Sequence, residues 1–170
     1  MISGRKLGFY ANGNLRQLPI GQMCQFLKET GYDAVELDRA WLDAQPNERD
    51  LRAELETIRS CGLELSEVIV QLDYVNQELE VREKAVEDTL GYLRSCANAG
   101  IGTVNLFTGP RPWMPNAPEV GKTVSLSDAW GMVFSAFDRL VPAAEELGVQ
   151  LAVENVWGWF VMTSSPCSFW

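Results

Sequence analysis

The chain has 170 residues, 46% of them hydrophobic, with a formal charge of -9 and no histidine. That length and apolar content fit one globular domain with a real core and argue against disorder or a coiled coil. An acidic chain without a basic run argues against binding through phosphate-backbone neutralisation, so a small molecule is the expected partner and nucleic acid is not.

The first residues (MISGRK) contain no apolar signal region, and no apolar run approaches the ~18 residues of a membrane span; a soluble, cytoplasmic protein is expected. A strand is predicted over 6–10 (KLGFY). A helix follows over 19–30, with Ile20, Met23, Cys24 and Leu27 on one face, and ends at Gly31 before a strand at 34–37 (AVEL). The next helix, 47–61, turns Leu51, Leu55 and Ile58 inward and ends at Gly62 before a strand at 63–70. A third, 77–99, carries Leu79, Val86, Leu90, Leu93 and Ala97 at helical spacing, and Gly100 precedes a strand at 101–107. The fourth, 127–147, aligns Trp130, Val133, Phe134, Phe137, Val141 and Ala144, and Gly148 precedes the last strand, 150–155 (QLAVEN). The cysteines Cys24, Cys61, Cys96 and Cys167 show no C-x-x-C spacing, and three of them fall in predicted helices, so reduced thiols are expected.

Glycine recurs just past each helix because that position often takes the left-handed conformation. Five strands joined by four helices imply parallel strands with helical crossovers, an α/β class. A doubly wound sheet and a β/α barrel share this alternation, and length arbitrates between them. At about 36 residues per unit, eight units would need about 286 residues, some 116 more than the chain has. Residues 163–166 (TSSP) read as the start of a further helix with only four residues after it. A complete five-stranded flavodoxin-like domain is the minor alternative; it requires a reversed strand order and a ligand at the first strand-to-helix loop, where 11–16 (ANGNLR) makes a poor phosphate cradle.

In parallel α/β folds the working face lies at the carboxyl ends of the strands. Tyr10, Asn12, Glu36, Asp38, Glu67, Gln71, Asn105, Glu154 and the segment 108–126 are therefore candidates, with a structural or solvated role favoured for any single one except Glu154. Glu36 alternates with Val35 and Leu37, so it faces away from them, toward the mouth or toward a basic neighbour. The absence of histidine excludes Ser-His-Asp and Cys-His catalysis and H-E-x-x-H zinc sites. Acid/base work falls to carboxylates, Lys, Tyr or Cys, and oxygen-ligated Mg or Mn would suit Glu and Asp, although one carboxylate does not make a site. GKT at 121–123 lacks the first glycine of a P-loop, and GIG at 100–102 precedes a strand instead of following one; both read as turns. Trp113, Trp157, Trp159, Phe160 and Trp170 offer flat faces for a sugar ring, with ordinary packing an even alternative for Trp113 and Trp157. Arg111 and Lys122 could anchor a phosphate, with solvated charge the favoured reading.

The stretches KLGF at 6–9, GYDAVEL at 31–37, VREKA at 81–85 and above all EELGVQLAVEN at 145–155 resemble the xylose isomerase-like (β/α)8 barrels, also called sugar phosphate isomerases/epimerases. The resemblance runs from about 6 to 166 in unbroken order, with 167–170 an atypical tail; it implies an α/β fold that is a partial (β/α)8 TIM barrel, a single incomplete domain over 1–170 and a carboxyl-terminally truncated member. It implies that Glu154, ending the fifth strand, binds a divalent metal of the Mn or Mg type and is one of two carboxylates that move a proton at the carbon beside a carbonyl. It also implies mouth positions for Glu36 and Trp157; with Tyr10 at its strand end and the aromatic face of Trp113, these are the expected substrate contacts. The implied activity is sugar or sugar-phosphate isomerisation or epimerisation through an enediolate, expected to be impaired or absent in this chain because the remaining ligands of the family, an Asp, a His and a second Glu, come from later strands. The alternative is a non-catalytic half-barrel that self-associates or binds a partner through open strand edges.

Overall fold

The computed structural model describes residues 5–154 apart from Pro46 and Pro112. Strands β1 (Gly8–Tyr10), β2 (Ala34–Asp38), β3 (Glu64–Val70), β4 (Thr103–Leu106) and β5 (Gln150–Val153) alternate with helices α1 (Ile20–Glu29), α2 (Arg39–Asp43), α3 (Glu48–Ser60), α4 (Leu79–Ala99) and α5 (Leu126–Leu147). All strand pairs are parallel, and the strands lie side by side in chain order. A sheet wound in one direction is half of a barrel, whereas a flavodoxin-like sheet reverses its order, so the strand order rejects that alternative. Gly31, Gly62, Gly100 and Gly148 all have positive φ, between 67° and 95°, so the glycine repeat of the sequence is a repeat of left-handed helix ends.

Strand pleating separates two faces. Val35 and Leu37 of β2, Val68 and Val70 of β3, and Val104 and Leu106 of β4 meet Leu27, Ile58, Leu93 and Leu140 of the helices in one core. Each such leucine, fully buried, contributes about 1.5–3 kcal/mol. On the opposite face Ile69 and Phe107 form a small separate cluster with Tyr10. All the helix packing is thus on one side of the sheet, and the other side is the concave wall of the half-barrel.

The pairing of β2 with β3 is irregular. Val35 faces Leu65 and Leu37 faces Val68, so Glu36 alone is opposed by two residues, Ser66 and Glu67. This bulge lets Glu67 join the concave face although Leu65, two residues earlier, packs against the helix-side core.

Two expectations are corrected. Four helices are predicted and five α-helices form among the described residues: α2 starts directly after β2 because the Asp38 carboxylate accepts hydrogen bonds from the backbone of Ala40 (3.0 Å) and Trp41 (3.4 Å). Five residues are too few to show a period. Leu79, Phe134 and Val141, placed on buried faces by periodicity, are exposed, and Phe134 stacks on Trp130 at the surface with ring centroids 5.6 Å apart. The apolar arc of a helix is wider than the part its neighbours cover.

Among the described residues, Cys24, Cys61 and Cys96 are free. Burial pushes the Cys24 and Cys96 thiols up to about 12, which makes both poor nucleophiles. Cys167 lies outside the described residues. No helix among them is long and apolar enough to cross a membrane.

Candidate active site at the carboxyl ends of the strands

Each inward strand end delivers one polar side chain. Asn105, in the middle of β4, is 5% exposed and donates through its single Nδ2 to Glu67 Oε1 of β3 (2.9 Å) and to Glu154 Oε2 beyond β5 (3.2 Å). Its Oδ1 is buried with no partner among the described residues. Leaving an acceptor buried and unpaired costs about 1–3 kcal/mol, which two charge-assisted bonds on the other atom of the same amide offset. Glu154 itself is exposed, and its backbone N–H donates to Leu106 O, continuing the ladder one step past β5.

Glu36 is the third carboxyl of the group. Its pKa is pushed up to about 7, by burial first and then by the negative charges of Glu67 and Glu154. Because the folded state holds this proton above the ordinary carboxylate range, stability from Glu36 is present below about pH 4.5 and falls as the pH rises toward 7. Replacing the group removes that loss. After discounting for its partial exposure, Glu36→Gln is expected to gain about 1 kcal/mol on the wild type between pH 4.5 and pH 8. Urea midpoints of both proteins across that range check this, and a difference that does not change with pH refutes it.

Tyr10, at the end of β1, is half-buried and its hydroxyl donates to Asp38 Oδ2 (3.3 Å). Its pKa is raised by burial and by the Asp38 charge. Asp38 is also gripped by Arg16, with Nη1 to Oδ2 at 2.6 Å and Nη2 to Oδ1 at 2.7 Å. Glu36, Glu67, Asn105 and Glu154 are therefore brought together, while Tyr10 and Asp38 form a neighbouring group of their own. Trp113, in the segment between β4 and α5, is 59% exposed. Trp157 lies outside the described residues. Asn12 is exposed and Gln71 half-buried.

The feature that sequence reasoning missed is the pair Asp73–Arg111. Arg111 donates its backbone N–H to Asp73 Oδ1 (2.8 Å) and its Nε and Nη2 to Oδ2 (3.0 and 2.8 Å), with both side chains almost wholly covered. The neighbouring Gly109 has φ 73°, and a Cβ there would come within 3.2 Å of Asp73 Cα and 3.3 Å of Tyr74 N, so the segments after β3 and β4 touch backbone to backbone. Arg111 is thus a strut and not the phosphate anchor considered from sequence; Lys122 is paired with Glu119. No local signal links residues 38 apart. The GKT segment is a turn closed by Gly121 N–H on Val124 O (2.7 Å).

Residues 24–169 match the family model described as xylose isomerase-like TIM barrel. The chain belongs to this family. Its fold is similar to that of D-psicose 3-epimerase solved in the presence of D-fructose, with a TM-score of 0.72, 15% identity, and 89% of this chain and 53% of that one covered. A D-psicose 3-epimerase with D-tagatose from Clostridium cellulolyticum H10 gives 0.71 at 13% identity, covering 89% and 53%. L-ribulose 3-epimerase gives 0.68 at 18%, covering 89% and 50%. The chain spans about half the length of these structures, and identities this low speak for the fold alone. Among curated proteins no sequence matches significantly.

The divalent metal that the family resemblance implies can be set against these residues. Among those described, no three Asp, Glu, Cys or His side chains converge into a group that could hold an ion. Glu67 and Glu154 instead turn oxygens to the same Asn105 Nδ2, a donor that repels a cation. The described residues do not by themselves fit the metal.

Proposed function

We propose that the chain is a sugar isomerase/epimerase in which Glu154 moves a proton at the carbon beside a ketose carbonyl. The observation that supports this reading is the placing of Glu154: an exposed carboxylate at the mouth of the fifth strand, in contact with Asn105 and within the field that raises Glu36, in a chain of the xylose isomerase-like family. The Glu154 carboxylate takes the proton; the electrons of the broken C–H bond move into the carbonyl to give an enediolate, and a proton supplied by water to the other face inverts the carbon, with Glu154 giving its proton back to solvent. Glu36, carrying its proton up to about pH 7, is a donor to a substrate oxygen. Tyr10 binds a sugar hydroxyl beside it, and Trp113 and Trp157 offer faces for the ring. A divalent cation at Glu154 would draw its further donors from outside the described residues.

Charge favours a neutral sugar over a sugar phosphate. The segments that follow β1 to β4 contain four basic residues, and each is paired: Arg16 with Asp38, Arg39 with Asp43 (3.9 Å), Arg111 with Asp73 and Lys122 with Glu119. Residues 155–170 include no Lys or Arg. In D2O, the protein is expected to exchange the proton beside the carbonyl of D-fructose or D-tagatose with kcat/KM at least about tenfold above that for the 6-phosphates, read by NMR. A tenfold difference is about 1.4 kcal/mol, the scale of one uncompensated charge contact. Preference for the phosphates would overturn the neutral-sugar reading, and no exchange with any ketose would overturn the activity.

A second reading rests on surface. Val153 on β5 and Phe134 and Val141 on α5 are exposed apolar side chains, and β1 and β5 are each paired on one side among the described residues. Association of copies through these edges would bury them. Sedimentation at micromolar concentration tests it: a monomer rejects association.

A further inference from the structure

We propose that Asn105 is a positioning residue that fixes the carboxylate of Glu154, using Glu67 as a counterweight. The inference rests on the proton-transfer role proposed for Glu154 but is carried by different observations. An amide nitrogen has two hydrogens, and Nδ2 of Asn105 has two acceptors, Glu67 Oε1 at 2.9 Å and Glu154 Oε2 at 3.2 Å. Both donors are spent on carboxylates, one on β3 and one just past the end of β5.

The orientation of the amide is set by charge. Turning it over would point Oδ1 at two anionic oxygens, so the nitrogen faces them and the oxygen is left buried without a partner among the described residues. Asn105 cannot swing away, because β4 is hydrogen-bonded on both sides, with Asn105 in register with Ile69 of β3 and Ala152 of β5. Glu154, by contrast, follows the end of its strand and is exposed, so its side chain gains a fixed direction from this contact.

The choice of residue points the same way. Asn105 stands between Val104 and Leu106, both fully buried, in a strand where an apolar residue of similar size would satisfy the fold and leave no orphaned oxygen. A buried amide that forfeits one of its hydrogen bonds to hold two carboxylates serves the arrangement of those carboxylates more than the stability of the sheet.

The test uses the full chain and two readouts. In 15N-labelled protein, the two side-chain amide protons of Asn105 are expected to resonate downfield of free asparagine. Glu154→Gln should move one of them and Glu67→Gln chiefly the other. In the exchange assay with D-fructose or D-tagatose, Asn105→Leu is expected to lower kcat at least tenfold with KM within twofold, while its melting temperature is equal to or above that of the wild type. A structural role gives the opposite pair, a lowered melting temperature and an unchanged kcat, and overturns the proposal. Amide protons indifferent to Glu154→Gln overturn it as well, whether or not the wild type is active. If the amide protons respond but no ketose is exchanged, the isomerase reading fails and the holding of Glu154 by Asn105 stands.

Discussion

Glu154→Gln is expected to lower the rate of proton exchange on a ketose by about 10²–10⁴-fold, the range associated with a positioned acid or base. The substitution is chosen for what it keeps. A glutamine has the length of glutamate, and its Oε1 can still accept from Asn105 Nδ2, so the arrangement around β4 persists while the basic oxygen is gone. Glu154 is exposed, and its hydrogen bond from the buried Asn105 survives the change. Folding stability should therefore move by no more than roughly 0.5 kcal/mol, the usual range for a surface change. Exchange rates in D2O and urea unfolding of the same preparations check both halves. An exchange rate within threefold of the wild type would remove Glu154 from the chemistry, and a loss of stability of several kcal/mol would make it a structural residue instead.

Asp73→Ala is expected to be among the most destabilising single changes in the chain, at about 3–5 kcal/mol. The alanine removes the acceptor of three hydrogen bonds at once and leaves the guanidinium of Arg111 covered by protein with no anion beside it. Against a typical domain stability of about 5–15 kcal/mol, that is a large fraction. The urea midpoint should fall with the slope unchanged, since the surface exposed on unfolding is nearly the same. A double change, Asp73→Leu with Arg111→Met, should recover much of the loss, because the penalty lies in the unpaired charge more than in the missing pair. If Asp73→Ala loses less than about 1 kcal/mol, the pair behaves like a solvated surface bridge and the strut between the two segments is absent.

The sequence made the frame legible because the frame is built from local periods. Met23, Cys24 and Leu27, or Leu51, Leu55 and Ile58, repeat within one helix and need no knowledge of the partner that covers them. The left-handed glycines are equally local. What escaped was relational. The Asp73–Arg111 pair joins two segments whose sequences say nothing of one another, and the exposure of Phe134 and Val141 depends on which neighbours α5 has. The candidate site lies between these cases. Strand alternation sets Glu36 opposite Val35 and Leu37, and the strand pattern puts Glu154 at a strand end, but neither can say that Asn105 bridges Glu67 and Glu154, since that contact needs three strands in register.

The irregular step between β2 and β3 gives the third strand a change of parity. Upstream of it the odd-numbered Leu63 and Leu65 look toward the helices; downstream the even-numbered Val68 and Val70 do. A strand with such a seam has unequal tolerance to changes in length. Deleting Ser66 would keep every other side chain of β3 and restore plain alternation. The seam would then vanish, with Leu65 and Glu67 on adjacent positions of opposite aspect and no second residue facing Glu36. Leu63 and Leu65 would stay in the helix layer and Glu67 on the concave face, whereas losing a residue elsewhere in β3 would turn part of the strand over. Comparing relatives by composition at this strand would miss the point; the informative quantity is the number of residues between Val35's partner and Leu37's.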